Sequence, residues 1–118
     1  MGFVHLPVSV KAPGVSPDRY DAVFLVDTGA LESMAPSNEL RRIGIQPVGR
    51  ETYELADGSS QEFDYGIVQL EFMGKITAGN VLFGPDNAEP LLGVTALESA
   101  GLAIDPRTQT LRPLIKRM

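Results

Sequence analysis

The chain has 118 residues, 43 % of them hydrophobic and 21 % charged, with 15 acidic side chains against 10 basic and a net charge of −5. This is the size and balance of one globular domain spanning residues 1–118, with no apolar run near the roughly 20 residues of a membrane helix and no basic face of the kind nucleic-acid binding needs. With no cysteine and a single histidine, His5, disulfides, thiol catalysis and multi-histidine metal centres are excluded and a Ser-His-Asp triad is argued against, which leaves carboxylates and hydroxyls as the chemical inventory.

No basic-then-apolar leader opens the chain, so the expectation is no signal peptide and a cytoplasmic location. Residues 3–11, FVHLPVSVK, mix alternation with β-branched side chains and predict a strand, and Pro7 within it argues for an edge or end position. APGVSPDR, 12–19, is a turn cluster. YDAVFLVDTGA, 20–30, predicts a second strand, apolar on both faces near its end and therefore buried from both sides. PSNELRRIG, 36–44, predicts a short helix capped by Ser37, with Glu39 in its first turn, Arg41 and Arg42 in its last, and Gly44 as its stop.

VGRETYEL, SQEFDYGIVQLEFMG and KITAGNVLFG predict further strands over 48–55, 60–74 and 75–84. Between the first two, ADGS at 56–59 predicts a tight hairpin with positive φ. GPDNAEP, 84–90, reads as a loop. A second helix is expected over 95–100, where Thr95 and Glu98 have capping-box spacing and Gly101 follows as the stop. GLAIDPRTQTLRPLI, 101–115, reads as strand, turn, strand, with Asp105 before Pro106 in the turn. No repeat, low-complexity tract or phosphate-binding glycine loop occurs, and no cofactor is expected. The fold class is mainly β with one or two short helices, a pattern that fits a small closed β-barrel.

The chemistry concentrates in FLVDTGA, 24–30. A carboxylate at the end of a buried strand is costly unless something nearby uses it. Gly29 allows close backbone approach, the Thr28 hydroxyl is able to donate to a neighbouring backbone group, and Asp27 would then be held with its carboxylate in a cleft. Three residues alone equally suit an acid that starts a turn. Their context is more specific: Ser33 follows shortly after, and PLLGVTALESAGLAID at 90–105 places two apolar residues and a glycine ahead of a short helix and a strand.

This pairing resembles the retropepsin-like aspartic proteases, especially their small single-domain bacterial relatives, with matching order and spacing from residue 3 to 114. Leu91, Leu92 and Gly93 match the segment that threads beside the Asp-Thr-Gly loop in that family. The resemblance implies a closed β-barrel of the retroviral aspartic protease type with its active site at a homodimer interface. It implies catalytic roles for Asp27, Thr28 and Gly29. It also implies contact with a peptide or protein substrate from Ala30, from Glu32 and from Ala56, Asp57, Gly58 and Ser59 at the tip of a hairpin flap spanning about 53–63.

The dimer has independent support from the sequence. Two carboxylates are needed, one as base and one as acid, and the chain carries one Asp-Thr-Gly; DGS at 57–59 has the wrong order. A twofold axis supplies the second copy of Asp27. Two adjacent carboxylates resist joint ionisation and share a proton, a known property of aspartic proteases. Water is then activated without a metal or a covalent intermediate. The resemblance further implies that strands from the chain ends tie the dimer together; GFVHLP and LRPLIK have suitable apolar content, with Pro7 and Pro113 blunting their edges.

Two departures from the viral pattern stand out: Leu31 replaces an acid there, with Glu32 next to it, and the flap tip has one glycine and an acid. Tyr53 reads as a half-buried strand tyrosine, His5 as a surface or interface residue, and Asp86 and Asn87 as loop formers. The leading functional reading is an aspartic endopeptidase. The alternatives are a catalytically idle module of the same fold that binds peptides or dimerises, and an unrelated small barrel in which Asp27 only starts a turn.

Overall fold

The structure is a computed structural model that describes residues 4–14 and 16–118; Phe3 of the first predicted strand and Val15 of the turn cluster lie outside the described residues. In chain order the elements are β1 (His5–Lys11), β2 (Tyr20–Val26), β3 (Ser33–Pro36), α1 (Ser37–Arg42), β4 (Gly49–Glu54), β5 (Ser60–Phe72), β6 (Lys75–Gly84), β7 (Leu91–Leu92), α2 (Val94–Ser99), β8 (Leu102–Asp105) and β9 (Thr110–Pro113).

Alternation builds the barrel wall. Along β5, Gly66, Val68, Leu70 and Phe72 are buried while Ile67, Gln69 and Glu71 between them are not, the period-2 signature of a strand with one face on a core. β1, β2, β7, β3, β6 and β5 follow one another around a ring, and pairing of Ser9–Lys11 with Gln69–Glu71 closes it. Closure removes the open edges that a flat sheet of this size would present. Phe24, Leu70, Leu92 and Leu97 are each at most 1 % exposed at the centre, and burying each contributes about 1.5–3 kcal/mol. Pro7 lies in the part of β1 that is paired on one side only, to β2, so its missing N–H leaves no ladder bond broken.

β4 lies outside the ring. It pairs with Ser60–Tyr65, whereas β6 pairs with β5 from Tyr65 onward. The end of β5 from Ser60 to Asp64 and all of β4 therefore form a two-stranded arm that projects beyond the barrel. β8 and β9 form a separate hairpin after α2, and Leu114 donates its N–H to the Gly101 carbonyl at 2.7 Å.

Three expectations change. The second strand stops at Val26, so Asp27–Ala30 is loop. Ser37 does not cap α1: Pro36 is the N-cap, and the Ser37 hydroxyl donates to the Gly84 carbonyl at 2.6 Å. Thr95 and Glu98 form no capping box: Gly93 is the N-cap of α2, and the Thr95 hydroxyl donates to the Leu31 carbonyl at 2.8 Å. In both helices a carbonyl from a distant strand or loop captures the hydroxyl that local pattern assigns to a cap. The helix stops hold, with Gly44 at φ +87° and Gly101 at φ +72°.

Candidate active site

Asp27 follows the last residue of β2, and three segments hold it in place. Its own N–H donates to the Leu92 carbonyl at 3.0 Å, and its carbonyl accepts from Ala30 at 3.1 Å. The preceding N–H, of Val26, donates to the Val4 carbonyl at 2.8 Å. On the far side of the loop, Val94 and Thr95 donate their N–H groups to the Ala30 and Leu31 carbonyls at 2.9 and 3.3 Å. The apolar pair Leu91–Leu92 thus pairs in parallel with Leu25–Val26 and clamps the loop onto the start of α2.

Gly93 makes this contact possible. A Cβ there would lie 2.5 Å from the Glu32 carbonyl carbon, 2.6 Å from its oxygen and 2.8 Å from the Leu31 oxygen, so the two backbones touch where no side chain fits. The Gly93 N–H donates to the Oγ of Ser33, a hydroxyl 1 % exposed, at 3.0 Å.

The carboxylate is oriented from within the loop. Gly29 donates its N–H to Asp27 Oδ1 at 3.0 Å, and a Cβ on Gly29 would crowd that same oxygen at 3.3 Å. The second oxygen has no protein partner among the described residues. Asp27 lies where two clefts adjoin. One, of 340 Å³, runs under the β4–β5 arm and includes Ala30, Glu32, Tyr53, Ala56 and Phe63. The other, of 570 Å³, is mostly apolar and includes Thr28, Val94, Leu97, Leu102, Ile104 and Leu114. Such an acid can act as base or acid on a group held in the adjoining cleft.

Thr28 differs from expectation. Its hydroxyl has no hydrogen-bond partner among the described residues, and the side chain is exposed beside the apolar cleft. The loop is held by main-chain bonds and by the hydroxyls of Ser33 and Thr95 instead.

No protein-family profile matches the chain, and no curated protein sequence matches it. Solved structures do. The protease of EIAV, complexed with the inhibitor HBY-793, superposes with a TM-score of 0.55 at 19 % identity, covering 82 % of this chain and 86 % of its own. The Simian Foamy Virus (mac) protease gives 0.50 at 16 % identity over 78 % and 91 %. The retroviral protease-like domain of Ddi1 from Leishmania major gives 0.50 at 18 % identity over 92 % and 87 %. The chain has the retropepsin-like aspartic protease fold.

Within this retropepsin-like barrel the predicted site residues separate into three groups. Asp27, Gly29, Ala30, Glu32 and Ala56 line one cleft. Thr28 opens on the neighbouring one, with Asp27 shared between them. Asp57, Gly58 and Ser59 form the exposed turn at the end of the arm and belong to neither lining. In that turn Gly58 has φ +86°, as Asp-Gly requires. Asp57 Oδ1 accepts from the Ser59 N–H at 2.9 Å and its hydroxyl at 2.6 Å. The Ser59 hydroxyl, then its N–H, holds the Asp57 carboxyl below the ordinary carboxylate value.

Tyr53 is both the half-buried strand tyrosine expected and part of the cleft wall, packed edge-on against Phe63 at 6.1 Å between ring centroids. Burial first, then the neighbouring Glu32, pushes its phenol above the ordinary value. Met34 and Leu82 carried no local signal of a role. Their place in the cleft wall follows from β3 pairing with β6, which the sequence does not announce.

Proposed function

We propose that two copies of this chain form a homodimeric aspartic endopeptidase that hydrolyses peptide bonds with water activated between the two Asp27 carboxylates. The observation that carries this reading is the position of Asp27, oriented by Gly29 and shared by an arm-covered cleft and an adjoining apolar one. A twofold partner seated on the apolar cleft would bring its own Asp27 to the same place. The ionised Asp27 takes a proton from water as the water oxygen attacks the peptide carbonyl. The protonated Asp27 of the second copy donates to the carbonyl oxygen, and collapse of the tetrahedral species sends a proton to the departing nitrogen. The arm bearing Ala56 would lie over the bound peptide and exclude solvent.

The test is cleavage of a mixed peptide library between mildly acidic and neutral pH by the unaltered protein and by Asp27→Asn. Cleavage by the unaltered protein, lowered on the order of 10⁴-fold by the substitution, supports the endopeptidase. Peptide binding without cleavage by either protein overturns it in favour of a binding module.

A further inference from the structure

Charge in the cleft under the arm has one sign. Asp27, Glu32 and Glu54 line it, and among the described residues no Lys, Arg or His does. Outside the cleft, carboxylates do have cationic partners: Glu71 with Arg19, Glu39 with Arg42, and Glu62 and Asp64 with Arg50. Among the described residues none of the three cleft acids forms such a pair.

Besides Asp27, Glu32 is a cleft acid whose side chain the fold orients. It is half-buried. Its Oε2 accepts from Asn80 Nδ2 at 2.9 Å, and its Oε1 lies 3.5 Å from the Thr95 hydroxyl, which already donates to the Leu31 carbonyl. Asn80 and Thr95 are neutral, so they aim the carboxylate without cancelling its charge. Tyr53 on the arm stays protonated beside it and likewise brings no countercharge. Around these groups the wall is apolar, with Leu31, Met34, Leu82 and Leu91. An apolar wall with an oriented anion suits a side chain with an aliphatic stem and a cationic head.

We infer that Glu32 selects substrates carrying a Lys or Arg side chain close to the scissile bond. This rests on the endopeptidase reading for the bond that is cut. The twofold symmetry of that reading places a Glu32 on each side of the bond, so basic residues are favoured on both sides. A substrate carboxylate in the same position meets like charge from Asp27, Glu32 and Glu54 and is rejected.

The experiment uses fluorogenic peptides that are identical apart from Lys, Gln or Glu at each position flanking the cleaved bond. It reads kcat/KM with the unaltered protein and dissociation constants with Asp27→Asn, which holds peptide without turnover. Lys is expected to exceed Gln on the order of tenfold, Glu to fall below both, and the Lys advantage to shrink as salt is raised. Glu32→Gln removes the advantage, whereas Glu89→Gln, at an exposed position outside the cleft, retains it. Cleavage indifferent to the three residues overturns the inference and leaves the endopeptidase standing. Selective binding with no cleavage by the unaltered protein overturns the endopeptidase and keeps Glu32 as a selector of basic peptides. Binding and cleavage of none overturns both.

Discussion

The Gly93 N–H donates to the Ser33 hydroxyl at 3.0 Å, joining residues 60 positions apart inside the barrel. Ser33 opens β3 and Gly93 precedes α2, so this bond ties the two segments that flank the Asp27 loop. Ser33→Ala leaves a buried N–H without an acceptor, which costs about 1–3 kcal/mol. Chemical denaturation of the variant is expected to show a lower midpoint with an unchanged slope. A midpoint equal to that of the parent would show that the hydroxyl contributes nothing.

Gly93→Ala acts on the same contact by crowding. The new methyl would lie 2.5 Å from the Glu32 carbonyl carbon, and backbone rather than a movable side chain has to shift. Overpacking of this kind costs about 1–3 kcal/mol, and the displaced loop carries Asp27 with it. The thermal unfolding midpoint should drop, and on the proposed endopeptidase reading peptide cleavage should fall by more than the lost stability explains.

Thr28→Ala tests whether a second copy docks beside the Asp27 loop. The side chain is exposed and makes no hydrogen bond among the described residues of its own chain, so the substitution is expected to change protomer stability by less than about 0.5 kcal/mol. If a second copy docks on the adjoining apolar cleft, sedimentation at dilute concentration should show more monomer than the parent, and specific activity should fall on dilution. Equal sedimentation and equal activity would place the interface elsewhere.

Asp57 sets the pH range over which the tip of the arm keeps its turn. Its folded-state carboxyl titrates below the ordinary 3.8 because the ionised form accepts both Ser59 donors. The turn is therefore favoured at all pH values above 3.8 and weakens as pH falls through the lowered folded value. A carboxyl NMR titration is expected to give a midpoint under 3.8, and Asp57→Ala should speed amide exchange at Ser59 without shifting global unfolding. A midpoint at or above the ordinary value would show that the turn bonds do not hold in solution.

Tyr53 responds at the other end of the scale. Its raised phenol stays neutral where an unfolded-chain tyrosine begins to ionise, near 10.0. The stabilisation is complete below that value and is lost as pH rises through the higher folded one. Tyr53→Phe should flatten the alkaline limb of the pH–stability profile, and an unchanged limb would count against burial of the phenol beside Glu32.

Much of the barrel was legible before any coordinates. Alternation marked β5 and β6, Asp57-Gly58 marked the hairpin, and Gly44 and Gly101 marked where helices stop, because each signal is local and acts through backbone geometry or a buried face. The strands β3 and β7 were not marked. Leu91–Leu92 is two residues long, too short for a period, and it is a strand only because Leu25–Val26 and Met34 lie on either side of it. Distant contacts also displaced the two expected caps. Ser37 and Thr95 have the right chemistry for helix starts, but the carbonyls of Gly84 and Leu31 reach them first.

The amino-acid sequence by itself determined the chemical inventory and the motif: one Asp-Thr-Gly, a Leu-Leu-Gly to thread beside it, and no thiol or histidine cluster to offer another route. Tertiary structure alone decided that Asp27 borders two clefts, that Thr28 faces outward, and that Asn80 aims Glu32 from 48 residues away. Residue type sets what a side chain can donate or accept. Which partner it meets depends on how closing the barrel brings distant backbone together, and no local pattern in the chain encodes that distance.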